Sequence, residues 1–177
     1  MYRLFLFLQA MGRTDAGQLR IITVTVQYYR MEIDMTPQEI KVYREIQRNA
    51  DMAMKAIDTI AEKVEDEELS FQISRQSLKY SELHNEAVKQ LIDAKTRPFQ
   101  SSHLSDAVLK TGIRYNTMLN TSTSHLAELL IRENNNGIIQ MEKVLRANGE
   151  AGEKSTALAK RLIEFEEKSV RSLKDYL

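Results

Sequence analysis

The chain has no cysteine and no tryptophan, and only two prolines and six glycines in 177 residues. Without cysteine it can form no disulfide bond, Cys-ligated zinc site or iron–sulfur cluster, and it has no thiol nucleophile. It also lacks an apolar run of the roughly 18 residues that a membrane-spanning helix needs. Because its 25 basic residues are balanced by 25 acidic ones, it has no surplus of positive charge for binding nucleic acid. We therefore expect no nucleic-acid partner and no membrane span.

Sequence motifs of the common enzyme classes are missing as well. No serine lies in a G-x-S-x-G motif, and there is no G-x-G-x-x-G loop. A G-x-x-x-x-G pattern begins at Gly12, but Gln18 and Leu19 follow it instead of the Lys and Ser or Thr of a phosphate-binding loop. The hydroxyl-rich stretch 120–124 precedes a predicted helix, where such side chains cap free N–H groups. The sequence thus favours a protein without catalytic activity.

The N-terminal residues 1–35 differ from the rest of the chain. They contain arginine but no lysine, and the stretch 21–26 favours extended backbone. We interpret this segment as an extension that is disordered or results from a mis-assigned translation start, because Met31 and Met35 directly precede the first strong helix signal. The apolar run 4–8 is shorter than the roughly 7–15 residues of a secretory signal, so we expect a cytoplasmic protein.

Residues 36–177 carry the signals of an all-α domain, a four-helix bundle. The sequence Thr36-Pro37-Gln38-Glu39 combines an N-cap hydroxyl, proline at the first helical position and glutamate at N3, which predicts a helix start. Apolar residues then recur every three or four positions, as in a helix packed in a bundle. They are Tyr43, Ile46, Ala50, Ala53, Ile57, Ile60 and Val64. The acidic stretch 65–68 ends this pattern, and Asp66 is placed to cap a second helix.

Three further segments complete the predicted bundle. The second helix ends before Arg97-Pro98, because proline disfavours helical backbone in the residue before it. The third runs from about Ser122 to Asn148-Gly149, and the fourth from about Glu153 to the C-terminus. Residues 96–121 are interpreted as a long crossover that contains a short helix. Two tight hairpins joined by one long connection are typical of ferritin-like bundles.

Two segments of this helical region also resemble a known family. They are Ala56-Ile57-Asp58-Thr59-Ile60-Ala61-Glu62-Lys63-Val64-Glu65-Asp66-Glu67-Glu68-Leu69 and Gly137-Ile138-Ile139-Gln140-Met141-Glu142-Lys143-Val144-Leu145. On these segments the chain from about Arg44 to Leu177 resembles domain of unknown function family 2383, an uncharacterised bacterial family assigned to the ferritin-like superfamily. The resemblance implies a ferritin-like fold and a bacterial source, and it implies no particular activity. The chain has Asn134 where the third helix of that family often has a glutamate.

The sequence leaves two interpretations of its inward-facing polar residues. A ferritin-like di-iron site takes Glu from two helices and Glu-x-x-His from the other two, and the chain contains no Glu-x-x-His. The remaining candidates for an irregular di-metal centre are Glu82, His84, Glu133 and Glu166. The simpler interpretation is a buried polar layer of Tyr80, His84 and Asn134 that fixes the register of the helices.

These observations favour a non-enzymatic structural or protein-interaction module. We expect it to form a homo-oligomer or to bind a protein partner through a helix face, without a cofactor. The alternative is a metal-binding ferritin-like oxidoreductase or metal-storage protein. Met52 and Met54 lie close together on the first helix, where flexible apolar side chains suit either a partner surface or ordinary core filling.

Overall fold

The computed structural model describes residues 35–100 and 120–177, which form four long α-helices and a short 3₁₀ helix. The helices are α1 (Pro37–Ala61), α2 (Glu67–Asp93), α3 (Thr123–Ala147) and α4 (Glu153–Leu173), followed by the 3₁₀ helix Lys174–Tyr176. These ranges contain no β-strand, which confirms the all-α prediction. The short helix predicted within residues 96–121 and the segment 1–35 lie largely outside the described residues.

The helix ends follow from capping side chains that the sequence displays. At the start of α1 the Thr36 hydroxyl accepts from the Glu39 N–H at 3.2 Å, and the Thr36 N–H donates to the Glu39 carboxylate at 2.8 Å. Asp66 caps α2 by accepting from the Leu69 N–H at 2.7 Å. Helix α3 ends at Ala147, with Asn148 as its C-cap residue. These contacts confirm the predicted helix boundaries, because they satisfy backbone groups that a helix end leaves unpaired.

Contacts between distant parts of the chain define the direction of α3 relative to α1. Gln38, at the start of α1, donates to Glu150 beyond the end of α3 at 3.3 Å. Farther along α1, the Asn49 side chain donates to the carbonyl of Gly137 at 3.1 Å. As α1 advances, its contacts therefore move backward along α3, so the two helices are antiparallel.

The remaining helix directions complete the order of the bundle. Arg161 of α4 donates to Glu86 of α2 at 2.9 Å, and Glu166 lies beside Tyr80, so α2 and α4 are antiparallel. Helices α1 and α4 consequently run one way and α2 and α3 the other. Helix α2 thus ends and α3 begins at opposite ends of the bundle, the helix order of four-helix bundles with one long crossover.

The core is formed by the apolar stripes of all four helices. Side chains below 2 % exposure include Ile46, Ile60, Leu69, Ile73, Leu83, Leu91, Leu126, Met141, Leu162 and Leu173. On α2 the buried face is turned slightly from the predicted stripe: Leu83 and Gln76 are buried, whereas Ser77 and His84 are half-buried. At about 100° per residue, these two pairs lie on opposite edges of the same stripe, and the packing of α2 against its neighbours decides which edge is covered.

Candidate functional site

Three polar side chains from different helices meet inside the bundle and form what we call the polar layer: Tyr80 of α2, Asn134 of α3 and Glu166 of α4. They are 0 %, 5 % and 1 % exposed. The Tyr80 hydroxyl donates to Asn134 Oδ1 at 2.6 Å and lies 3.3 Å from Glu166 Oε1. The polar layer therefore links three helices through one phenolic oxygen.

Neighbouring residues hold the polar layer in place. The Phe165 ring packs edge-to-face against the Tyr80 ring, with centroids 4.9 Å apart and an interplanar angle of 81°. The Glu166 carboxyl lies against Gly137 of α3, where a Cβ atom would overlap Glu166 Oε1. The absence of a side chain at this one helical position thus creates the space that the carboxyl occupies.

Burial changes the ionisation of both acidic groups in the polar layer. Desolvation raises the pKa of Glu166 to about 8, and the hydrogen bond from Tyr80 opposes that shift. Desolvation and the adjacent Glu166 also raise the pKa of Tyr80 well above its ordinary value. Glu166 is therefore mainly protonated at neutral pH, because burial disfavours its charged form.

The polar layer is not fully hydrogen-bonded within residues 35–100 and 120–177. There, Glu166 Oε2 and Asn134 Nδ2 have no hydrogen-bond partner, and neither does either polar atom of the Gln76 side chain. Unpaired buried polar atoms cost roughly 1–3 kcal/mol each. This arrangement is suited to specifying which helices pack together and in which register, because a shifted helix would leave further polar atoms unpaired.

The structure corrects the predicted membership of this layer. His84 is half-buried, and its Nδ1 lies 3.2 Å from Asn85 Oδ1, away from the Tyr80–Asn134 hydrogen bond. Glu166 takes the place that the sequence analysis gave to His84. The reason is geometric: His84 is one helical turn beyond Tyr80 at the edge of the α2 stripe, whereas the carboxyl of Glu166 reaches inward over Gly137.

The other metal candidates lie outside the polar layer. Glu82 has 55 % of its side chain exposed and pairs with Lys79 at 2.7 Å, which lowers the Glu82 pKa, and with Arg161 at 3.5 Å. Glu133 is half-buried beside a groove between α1 and α3. Among the described residues, no three His, Asp or Glu side chains converge as ligands for one metal ion. Of the four candidates, only Glu166 lies in the core.

The groove between α1 and α3 has a volume of about 90 Å³. Its lining includes Glu45 and Met52 of α1 and Glu133, Gly137 and Met141 of α3. Sites for drug-sized ligands and cofactors have volumes of roughly 300–1,000 Å³. The groove is therefore too small for an organic cofactor, although it has room for a few water molecules.

A second feature is an apolar stripe on the solvent side of α2, which the sequence analysis missed. Phe71, Leu78 and Ile92 are 67 %, 73 % and 57 % exposed, and they follow a seven-residue spacing in which Asn85 takes the remaining position. We call these four residues the α2 outer face. Residues seven apart lie on one side of a helix, so the pattern was readable in the sequence once the buried side of α2 was known.

The fold resembles one previously solved helical domain. No protein-family model matches the chain, and no curated protein matches it. The structure of a DUF305 fragment from Deinococcus radiodurans superimposes with a TM-score of 0.61 at 14 % sequence identity, covering 80 % of this chain and 96 % of that one. DUF305 is a domain of unknown function, so this likeness supports the four-helix fold and carries no activity with it. None of the described helices is long and apolar enough to cross a membrane.

Proposed function

We propose that the chain is a cytoplasmic, non-enzymatic helical module that binds a protein helix through the α2 outer face. The observation that carries the proposal is the exposure of Phe71, Leu78 and Ile92 along one line of a helix. Scattered exposed apolar residues are normal on a protein surface, whereas an aligned apolar set marks a contact surface. The seven-residue spacing is the one that two packed helices use to interlock their side chains.

The polar layer supports a structural role. Glu166 and Tyr80 are at most 1 % exposed, so a substrate cannot reach them without opening the bundle. A catalytic acid or base must come within hydrogen-bond distance of the reacting group. We propose instead that the polar layer fixes the packing of α2, α3 and α4 and so keeps the α2 outer face in a defined shape.

We also propose that the bundle is ferritin-like and bacterial in origin. The support is its helix order, in which α2 and α3 run in the same direction, together with the resemblance of residues 56–69 and 137–145 to an uncharacterised bacterial family of that superfamily. Neither argument adds a substrate or a cofactor.

The proposal is tested by placing a photo-crosslinking amino acid at position 78 in the full chain, expressed in its native host. The matched control carries the same residue at position 160, where the exposed Lys160 lies on α4. We expect protein adducts from position 78 and few from position 160. Equal, low yields from both positions would overturn the proposal, because the α2 outer face would then face solvent in the cell.

The metal-binding alternative makes a different prediction. It requires Glu166 to be ionised and joined by ligands such as Glu82, His84 or Glu133 from other helices. Iron, manganese and zinc should then copurify in near-stoichiometric amounts with the untagged chain, and Glu166→Gln should abolish binding. For a non-enzymatic module we expect the unmodified chain to contain no more metal than the Glu166→Gln variant. This should hold both as purified and after reconstitution with each metal.

A further inference from the structure

We propose that the groove between α1 and α3 is a docking site for a lysine side chain of a protein partner, and that Glu133 binds the ammonium group of that side chain. Residues of α1 and α3 alone line this groove. It is therefore a surface separate from the α2 outer face, and the proposal goes beyond the function proposed for that face without depending on it.

Glu133 lies at one end of the groove. Near the middle, the Asn49 side chain donates to the carbonyl of Gly137 at 3.1 Å. Glu133 is one helical turn before Gly137, and Met52 and Ala53 are one turn after Asn49. Because α1 and α3 are antiparallel, these side chains lie at the same end, and all of them line the groove. The Glu133 carboxylate thus borders a mainly apolar recess.

The Glu133 carboxylate has no cation beside it. Among the described residues it takes part in no hydrogen bond or ion pair. Its neighbours three and four positions away on α3 are Leu129, Leu130, Asn136 and Gly137, so its own helix offers no basic side chain within reach. Because the residue is half-buried, its carboxylate attracts a cation more strongly than a fully hydrated one does.

The other end of the groove already holds a pair of opposite charges. There Glu45 pairs with Arg48, and the two side chains are 23 % and 41 % exposed. Both residues belong to α1, so this cation comes from the same helix as its carboxylate. Within residues 35–100 and 120–177 no such cation is available at the Glu133 end, and another molecule would have to supply it.

The size and lining of the groove favour lysine. Its volume of about 90 Å³ suits one side chain. Met52 is 43 % exposed, and its flexible thioether can pack against a methylene stem. Lysine ends in a compact ammonium group with three hydrogen-bond donors. Glu133 can accept one of them, and the exposed side chains of Asn136 and Gln140 supply amide oxygens in the same groove. Arginine suits the groove less well, because its planar guanidinium is broader.

The test is a titration of the full chain with Nα-acetyl-lysine methylamide, followed by NMR of the methionine methyl groups. Met52 and Met141 line the groove, whereas Met54 of α1 lies outside its lining and serves as the reference. A matched probe carries an acetylated ε-amino group, which keeps the stem and removes the charge. We expect the charged probe to shift the Met52 and Met141 signals and to bind about tenfold more tightly than the acetylated probe, because it adds a hydrogen bond between charged groups.

Two variants separate the role of Glu133 from that of the overall charge. Glu133→Gln is expected to lower the affinity for the charged probe about tenfold. Glu142→Gln removes the same charge from an exposed position of α3 outside the groove lining and should leave the affinity unchanged. An unshifted Met54 signal in each free variant shows that its fold is intact.

Other results would overturn the proposal. Equal binding of the two lysine probes, or equal binding by the unmodified chain and Glu133→Gln, would mean that Glu133 does not recognise the ammonium group. No shift of Met52 or Met141 at about 50 mM charged probe would rule out the site itself. n-Butylammonium chloride tests the other source of the same group. If it binds and the lysine derivative does not, the groove takes a free amine and the partner side chain is wrong.

Discussion

Replacing Glu166 by glutamine is expected to stabilise the bundle at neutral pH. The carboxyl is 1 % exposed, and burial raises its pKa from 4.5 to about 8. The folded state therefore holds the Glu166 proton more tightly than the unfolded state does. This contribution to stability is complete below about pH 4.5 and is lost progressively as the pH rises through 8. Glutamine has nearly the same shape and remains neutral throughout, so it removes the pH dependence.

The size of the effect follows from the difference between the two pKa values. The free energy of unfolding falls by about 1.4 kcal/mol for each pH unit over which the unfolded state has lost the proton and the folded state retains it. From 4.5 to about 8 the whole loss is on the order of 5 kcal/mol, of which about 3 kcal/mol has accumulated at pH 7. We expect Glu166→Gln to recover a large part of this free energy, because its amide group can still hydrogen-bond to the Tyr80 oxygen.

The assay is urea unfolding at a series of pH values from about 5 to 8. The matched control is Glu164→Gln, which removes the same charge from an exposed position of α4. The free energy of unfolding of the unmodified chain should fall by about 1 kcal/mol per pH unit relative to Glu166→Gln. Glu164→Gln should follow the unmodified chain.

Parallel stability curves for the unmodified chain and Glu166→Gln would refute this reasoning. They would mean that the carboxyl has the same pKa in the folded and unfolded states, as a solvated side chain does. A constant offset between the two parallel curves from about pH 5 to 8 would then assign the effect of the substitution to packing.

Three further substitutions test the structure. Gly137→Ala is expected to destabilise the chain by about 1–3 kcal/mol, because its Cβ would overlap the Glu166 carboxyl. In a chain that already carries Glu166→Ala, the same substitution should stabilise, as alanine normally does within a helix. A double-mutant cycle measures the coupling between the two positions. Tyr80→Phe should lower the free energy of unfolding by about 1–3 kcal/mol, because Asn134 Oδ1 loses its donor at 2.6 Å. It should also move the pH-dependent loss of stability to higher pH, because the Tyr80 hydroxyl lowers the Glu166 pKa. Urea unfolding at several pH values measures both effects. Thr36→Ala should lower stability by about 1 kcal/mol while Thr36→Ser retains it, as measured by thermal or urea unfolding.

The polar layer shows how far the sequence could predict the interior. Asn134 and Tyr80 were predicted to face inward from their spacing, and both are buried. Glu166 was predicted only as a metal candidate, although it is the carboxyl at the centre of the layer. Periodicity along α4 identifies an inward direction but cannot indicate that Gly137 of another helix leaves space for a carboxyl. His84 was misplaced for the same reason, since the edge of a stripe is buried or exposed according to its neighbours.

The sequence by itself determined the local features of the chain. Capping residues such as Thr36 and Asp66, and apolar residues at helical spacing, define where helices begin and which side is buried, because these effects act within a few residues. Only the tertiary structure decided the features that require two or more helices. These are the polar layer, the raised pKa of Glu166 and the exposure of the α2 outer face, because burial and desolvation depend on atoms that are distant along the chain.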